Sequence, residues 1–335
     1  MAKTDKYSAA LAILVYLASS QPLLASNTDF IDAKQHTNAC NQIKSNTQRL
    51  ACFDALSPQK TTVSLQKQRR EQEKAHHDTP FMMQSYRPSY FLPVSYNPSQ
   101  HKLNPNILFN SPKEGLSINN IEVKFQISFK LPLAQGLLFD NDVISMNYTQ
   151  LSFWQLYNER ASKPFRENNY EPELMWQVDF DDKQPPSILG LPLDSFGVSF
   201  NHQSNGRSNN FSLGWNRIIF HFNFSDKNWL IAFRPWIRMP GDHLHVHDNA
   251  TDHYMGKFDL SAAYKIGQHT LSSKLRNNLN TSKNKGYLEL NWSFPLPITQ
   301  LKGFVQYSTG YGEVLIDYNH KVNRISAGFL LADWF

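Results

Sequence analysis

Apolar and polar residues alternate along most of the chain from about residue 89 onward. In residues 123–129, Val, Phe, Ile and Phe stand at every second position, with Lys, Gln and Ser between them. The same alternation recurs at residues 196–200, 218–224, 231–239, 258–266 and 288–294. A period of two predicts strands with one apolar face, and strands of about ten residues are typical of membrane barrels, since soluble sandwiches use shorter ones.

Twelve strands are predicted from this alternation and from the turn residues between the segments. Their approximate bounds are 89–97, 122–131, 142–157, 170–181, 193–204, 211–224, 228–239, 256–266, 270–280, 285–294, 300–319 and 323–335. Single-chain bacterial barrels have an even number of strands. The predicted fold class is therefore all-β, a twelve-stranded antiparallel transmembrane β-barrel at 85–335, with long connections at 98–121, 157–169 and 240–255 on the outer side.

The composition agrees with a barrel in a bacterial outer membrane. Aromatic residues make up 13% of the chain, with 23 Phe and 14 Tyr, and barrels use aromatic residues on the lipid face and at both interfaces. After the N terminus, no segment approaches the ~20 apolar residues that a membrane helix needs. The net charge of +5 is interpreted as an ordinary basic surface, and no nucleic-acid partner is expected.

Residues 1–26 have the pattern of a secretory signal peptide. Lys3 and Lys6 form a basic start, a short apolar segment follows, and small residues up to Ser26 offer cleavage sites. The alternative is a buried first helix of a cytosolic protein. The signal interpretation places the mature chain in an oxidising envelope compartment, with the barrel in the outer membrane.

Residues 27–80 are predicted to be a small periplasmic extension, mainly helical. Its densely charged part, at 64–80, is interpreted as an exposed linker or a solvated helix. Cys40 and Cys52 are the two cysteines of the chain, and in the envelope we expect them to form one disulfide.

Three polar residues continue the lipid-facing parity of two adjoining strands. His202 and Ser204 follow the outward Phe196, Val198 and Phe200, and Asn216 lies on the outward side of the next strand. Polar groups in hydrocarbon must find partners, and a hydroxyl, an imidazole base and a group that orients the base form a nucleophile triad. Periodicity alone slightly favours the simpler interpretation, in which these residues close the barrel rim near a short loop.

Several sequence stretches resemble the outer membrane phospholipase A family across about residues 85–335. They are NHQSNGRSNNFSLGWNR at 201–217, PFRENNYEPEL at 164–174, NYTQ at 147–150, YGEVLIDYN at 311–319 and DWF at 333–335. The resemblance implies a twelve-stranded barrel with a Ser–His–Asn triad on its outer wall, acting as a calcium-dependent homodimer on the acyl ester bonds of phosphoglycerides. By position, Ser204 is the nucleophile, His202 the general base and Asn216 the orienting group.

The resemblance also implies a Ca²⁺ site near the triad. Its ligands by position are the backbone carbonyl of Arg207, the hydroxyl of Ser212, and a carbonyl of Ser162 or Lys163 from the second subunit. Asp248 is a further candidate in a loop that aligns poorly. Such carbonyl and hydroxyl oxygens suit calcium, a hard cation.

Two positions bear on how the resemblance applies to this chain. Asn209 stands where well-known members of the family have Asp, so a charge near the metal is missing. Gln150 matches the interface glutamine of the family, and its parity predicts an amide that points into hydrocarbon. We therefore expect a homodimer in which two unpaired amides satisfy each other across a two-fold axis.

The expected partners are phospholipid substrate, outer-membrane lipid and a second copy of the chain. The terminal Phe335, with Phe329 and Leu331 on the same parity, resembles the signal read by the barrel-assembly machinery. Two alternatives stay open: a passive barrel, such as a porin or adhesin with a degenerate site, and a deacylase acting on lipopolysaccharide.

Overall fold

The computed structural model describes residues 43–46, 48–49, 64–75, 82–101, 117–180, 185–208, 212–239, 250–297 and 301–334. The chain divides into two compact units, residues 1–61 and residues 62–335. The predicted signal peptide, the predicted disulfide between Cys40 and Cys52, and the residues Asn209, Asp248 and Phe335 lie outside the described residues.

The second unit consists almost entirely of strands. In chain order its described elements are α1 (Leu65–Ala75), β1 (Gln84–Ser85), β2 (Ser89–Tyr96), β3 (Ile121–Gln135), β4 (Asp142–Trp154), β5 (Glu167–Asp179), β6 (Ser187–Ile188), β7 (Leu191–Ser204), β8 (Gly214–Asp226), β9 (Trp229–Arg238), α2 (Ala250–Met255), β10 (Phe258–Ile266), β11 (His269–Asn277), β12 (Gly286–Pro295), β13 (Lys302–Gly310) and β14 (Val322–Ala332). No helix in these described ranges is long and apolar enough to cross a membrane.

The strands form one closed antiparallel barrel. Each long strand pairs with the next along the chain, and β14 pairs with β2 to close the sheet. The two-residue strands β1 and β6 pair with β3 and β7 and add nothing to the circumference. The predicted twelve-stranded barrel is confirmed, and closure pairs the backbone groups that would otherwise be stranded in lipid.

Side chains alternate between a polar interior and an apolar outer wall. On β7, Ser199 and Asn201 are buried, whereas Phe196 is half-buried and Phe200 is exposed. Charges in the interior are paired: Arg324 donates to Glu122 at 2.9 Å, within a network of buried ion pairs. This pattern is the inverse of a soluble protein and is the one expected for a barrel in a bilayer.

The predicted strand at 300–319 is wrong in its second half. Strand β13 ends at Gly310, and residues 311–321 form a loop that folds into the mouth of the barrel. Gly310 and Gly312 have φ of 116° and 75°, which turn the chain away from the sheet. The apolar residues 314–316 are buried in this loop because they pack against Phe153 and Trp215.

The charged segment at 64–80 forms a helix, α1, but its side chains are paired with the barrel rather than with solvent. The Arg70 guanidinium is hydrogen-bonded to Asp194, and Lys130 donates to Glu73 at 3.0 Å. The Leu65 amide donates to the carbonyl of Lys227 in the β8–β9 turn at 3.0 Å. Helix α1 therefore packs against the end of the barrel that carries the short turns, here called the turn end.

Candidate active site

The β7–β8 hairpin carries the three residues proposed for a triad. His202 is the register partner of Asn216, and Ser204 that of Gly214. All three candidate side chains are half-buried. The adjacent residues Gln203 and Arg217 point the other way and are buried in the interior. His202, Ser204 and Asn216 therefore share the outer face of the barrel at the end opposite the short turns.

A hydrogen bond joins two of these residues. The His202 Nδ1 atom lies 2.8 Å from Asn216 Oδ1. An amide oxygen only accepts, so Nδ1 carries the proton and Nε2 of the neutral ring is free to act as a base. Ser204 lies two residues further along the same face, and the backbones of His202 and Ser204 are roughly 7 Å apart there. At this spacing the His202 imidazole can reach the Ser204 hydroxyl.

The interior side of the hairpin is cross-linked. The Trp215 indole donates to Gln203 Oε1 at 2.8 Å. Arg217 donates to Asn201 at 2.7 Å and to Glu171 on β5 at 3.1 Å. Because these bonds join β7 to β8 and β5 beneath the outer wall, they fix the register that places His202 opposite Asn216.

The turn after Ser204 requires glycine. Gly206 has φ of +62°, and a Cβ there would lie 2.7 Å from Cε2 of Tyr170. Tyr170 is itself the register partner of Ser204 on β5. The tyrosine ring and the left-handed turn thus hold the backbone that follows the nucleophile candidate, where an oxyanion would need N–H donors.

The loop from 205 to 213 is anchored by polar contacts at both ends. Asn205 Oδ1 accepts from the Leu213 amide at 3.0 Å and from the Arg207 amide at 3.3 Å. The Arg207 guanidinium donates to buried Glu167 at 3.2 Å and also to the carbonyl of Arg166. No sequence pattern singles out Glu167, because its partner Arg207 lies 40 residues further along the chain.

Two of the candidate calcium ligands lie on this loop. Arg207 and the half-buried Ser212 stand on its two limbs. The Ser162 carbonyl accepts from the Trp154 indole at 2.8 Å, and the neighbouring Lys163 is exposed. Within the described ranges, no group of three or more His, Cys, Asp or Glu side chains is placed to hold a metal. The candidate metal ligands are carbonyl and hydroxyl oxygens, which suit calcium.

Gln150 lies on the outer wall, but its amide is not unpaired as the sequence suggested. Tyr148 Oη donates to Gln150 Oε1 at 3.0 Å, and Gln150 Nε2 donates to Ser152 Oγ at 3.0 Å. Gln150 pairs in register with Tyr170, which pairs with Ser204. One row across β4, β5 and β7 therefore connects Gln150 to the nucleophile candidate over about 10 Å, two strand spacings.

The fold and the polar group on the lipid-facing wall define an enzyme built on an outer-membrane β-barrel. Residues 66–331 match the family model described as Phospholipase A1. The chain belongs to this phospholipase A1 family.

Individual relatives agree with the family match. The chain is 37% identical over 260 residues to a phospholipase A1 of Proteus vulgaris, covering 77% of this chain and 84% of that one. It is similar in structure to the outer membrane phospholipase A of Escherichia coli, with a TM-score of 0.66, 34% identity and coverage of 76% and 100%. A calcium-bound dimer of the Salmonella typhi outer membrane phospholipase also has a TM-score of 0.66, with 34% identity and coverage of 77% and 94%.

Proposed function

We propose that this chain hydrolyses acyl ester bonds of phosphoglycerides in the outer leaflet of the outer membrane, through Ser204, His202 and Asn216. The observation that carries the proposal is the 2.8 Å contact between His202 and Asn216 on the outer wall, with Ser204 on the same face. A passive barrel has no need of an oriented imidazole beside a hydroxyl in hydrocarbon. On this wall, a lipid ester reaches the site without leaving the membrane.

The proposed reaction uses the three side chains in turn. His202 Nε2 takes the Ser204 proton while Oγ attacks the ester carbonyl carbon, and the resulting imidazolium is held in place by Asn216 Oδ1. The proton then passes to the departing lysophospholipid oxygen, which leaves an acyl group on Ser204. Water, deprotonated by His202, releases the fatty acid and restores the serine. The Gly206 N–H is the candidate donor to the oxyanion, because the amides of Asn205 and Arg207 already donate within the loop.

We further propose that calcium is held by the Arg207 carbonyl, the Ser212 hydroxyl and a carbonyl from residue 162 or 163 of a second subunit. Calcium bound there would supply positive charge that stabilises the ester oxyanion. The Glu167 contact supports this role for the loop, because it immobilises Arg207. The calcium-bound Salmonella typhi phospholipase dimer is a further support.

We propose that dimerisation through Gln150 regulates the hydrolytic activity. A carboxamide has two N–H donors and two acceptor lone pairs, and Tyr148 and Ser152 use one of each. The remaining donor and acceptor of each Gln150 can pair across a two-fold axis in hydrocarbon, where such bonds face no competition from water. The same contact would bring the 155–166 loop of one subunit beside the Arg207 loop of the other.

A hydrolysis assay tests the catalytic proposal. Purified protein in mixed micelles should cleave phosphoglyceride with calcium and lose cleavage with a chelator. Ser204→Ala should remove nearly all turnover, since loss of a triad nucleophile costs several orders of magnitude. Ser273→Ala, on the outer face of β11, is the matched control and should stay active. Wild type that cleaves only lipopolysaccharide would support the deacylase alternative, and an inert wild type would support a passive barrel.

A dilution series tests the dimer proposal. Specific activity should rise with protein concentration by mass action, and Gln150→Ala should move that rise to higher concentration. Gln268→Ala, exposed in the β10–β11 turn, is the control and should behave as wild type. A specific activity that is flat on dilution in all three proteins would mean that one chain contains the whole site.

A further inference from the structure

A cavity of about 110 Å³ lies inside the barrel at the turn end, beneath α1. It is separate from the candidate active site, which faces lipid at the other end. Cationic side chains from several elements line it, among them Arg69 and Arg70 of α1, Arg87 before β2 and Arg234 of β9. Trp334, next to the end of the chain, completes the same wall.

Three buried N–H donors in this wall have no hydrogen-bond partner among the described residues. They are Nε of Arg87, Nε of Arg234 and Nε1 of Trp334. The same three residues also line a smaller adjoining cavity of about 40 Å³. A buried donor without a partner is unfavourable, and the three residues line both cavities, so an acceptor in this space would satisfy them.

Arg234 adds an unbalanced charge. The side chain is 7% exposed, and its one hydrogen bond within the described ranges goes to the neutral Ser261 Oγ at 3.2 Å. The nearby carboxylate of Asp259 is ion-paired with Arg276. A buried cation without an anionic partner is strongly unfavourable, whereas an anion beside it removes most of that penalty.

The acidic residues of the cavity are already engaged. Glu73 is ion-paired with Arg69 at 2.9 Å and with Lys130 at 3.0 Å. Asp194 is ion-paired with Arg70. Arg87 is also ion-paired, with Glu171 at 2.9 Å and with Glu173 at 3.5 Å. Among the described residues, Arg234 is therefore the cation of this wall that has no ion pair.

We propose that this cavity binds a small oxyanion of the inorganic phosphate class, held by Arg234, Arg87 and Trp334. A tetrahedral oxyanion presents several acceptor oxygens to converging donors, and guanidinium groups pair with such anions by charge-assisted hydrogen bonds. The cavity has room for an ion of this size, because one water needs about 10–15 Å³ of such space and the cavity has about 110 Å³.

The bound anion ties α1 to the barrel. The Trp334 carbonyl accepts from Gln66 at 2.7 Å and from Arg69 at 2.8 Å, both on α1. An anion on the Trp334 indole and Arg234 therefore connects the helix to β9 through the last residues of the chain. A ligand that binds only the folded state stabilises it, so phosphate should raise the unfolding temperature.

Thermal unfolding of the full-length protein in detergent tests the proposal, with phosphate replacing chloride at constant ionic strength. Wild type should show a saturable rise in Tm with phosphate. Arg234→Gln should lose this rise, and without phosphate its Tm should not fall below wild type, because an unpaired buried charge is gone. Arg238→Gln, at the far end of β9, is the matched control and should keep the phosphate response.

Calorimetric titration with inorganic phosphate gives an independent measurement on wild type, which decides the matter even if Arg234→Gln fails to fold. One site per chain in wild type and in Arg238→Gln, absent in Arg234→Gln, would support the proposal. No saturable heat in wild type, or equal binding in all three proteins, would overturn it and leave water as the acceptor. Neither experiment depends on catalytic activity.

Discussion

Replacing Glu167 by glutamine should weaken calcium binding, so that hydrolysis needs more calcium, while the triad residues stay unchanged. The Glu167 carboxylate accepts from Arg207 at 3.2 Å, from Asn169 at 2.7 Å and from the Ile316 amide at 3.3 Å. Glutamine keeps the shape and one acceptor oxygen, so the bonds to Asn169 and Ile316 can persist. Its amide group, however, turns an N–H donor toward the Arg207 donor. The loop that presents the Arg207 carbonyl loses its anchor.

The size of the effect follows from the lost contact. A hydrogen bond to a charged group contributes about 1.5–3 kcal/mol, and about 1.4 kcal/mol corresponds to a tenfold change in an equilibrium constant. The Arg207 side chain is 17% exposed and also donates to the Arg166 carbonyl, so part of the loss is recovered by water and by this second bond. We therefore expect the calcium concentration for half-maximal activity to rise about tenfold. This is the lower end of the loss in metal affinity that follows when a residue that orients a metal ligand is replaced.

Calcium titration of phosphoglyceride hydrolysis in mixed micelles measures this shift. The maximal rate at saturating calcium should stay close to wild type, because His202 and Ser204 are unchanged. Glu289→Gln, another buried carboxylate in the barrel but on β12, is the control and should leave the calcium midpoint unchanged. An unchanged midpoint in Glu167→Gln, or an equal loss of maximal rate in both variants, would refute the role of the Arg207 anchor.

Three further predictions follow from single contacts. Asn216→Ala should lower kcat about fivefold in steady-state assays, less than His202→Ala, because an orienting hydrogen bond from a neutral amide contributes about 1 kcal/mol. Gly206→Ala should lower both activity and Tm, since the left-handed backbone costs roughly 1–2 kcal/mol with a Cβ and the new atom meets a tyrosine ring. Burial raises the pKa of Glu313 in the β13–β14 loop, but the charges of Arg324 and Lys124, with the hydrogen bonds from Lys124 and Ser308, together outweigh burial and bring that pKa from 4.5 to about 2. A depressed pKa stabilises the fold above 4.5 and the stability is lost as pH falls toward 2, so acid unfolding of Glu313→Gln should depend less on pH in this window.

The strands were predictable because lipid outside and water inside impose a strict period of two. The prediction was wrong where that period continued by chance. Residues 311–319 look like an extension of β13, but Gly310 and Gly312 reverse the chain and the apolar residues fill the barrel mouth instead. The charged helix α1 resembled a solvated segment because the carboxylates and lysine that pair with it lie on distant strands.

The placement of the candidate triad was predictable from parity alone, since His202, Ser204 and Asn216 continue the outward face of two adjoining strands. The pairing of Gln150 was also present in the sequence. Tyr148 and Ser152 share its parity, and same-face hydroxyls two residues away were available as partners. The Glu167–Arg207 contact was not predictable, because it depends on how two loops meet at the rim.

Covalent labelling distinguishes a serine that His202 activates from an ordinary serine on the outer wall. An alkyl fluorophosphonate reacts with serines that a neighbouring base has activated, and peptide mapping by mass spectrometry locates the adduct. With calcium present, we expect one adduct per chain, on Ser204. We expect no adduct in Ser204→Ala or in His202→Ala. Labelling at another residue, or unchanged labelling of Ser204 when His202 is replaced, would contradict the proposal that His202 activates Ser204 on the outer wall.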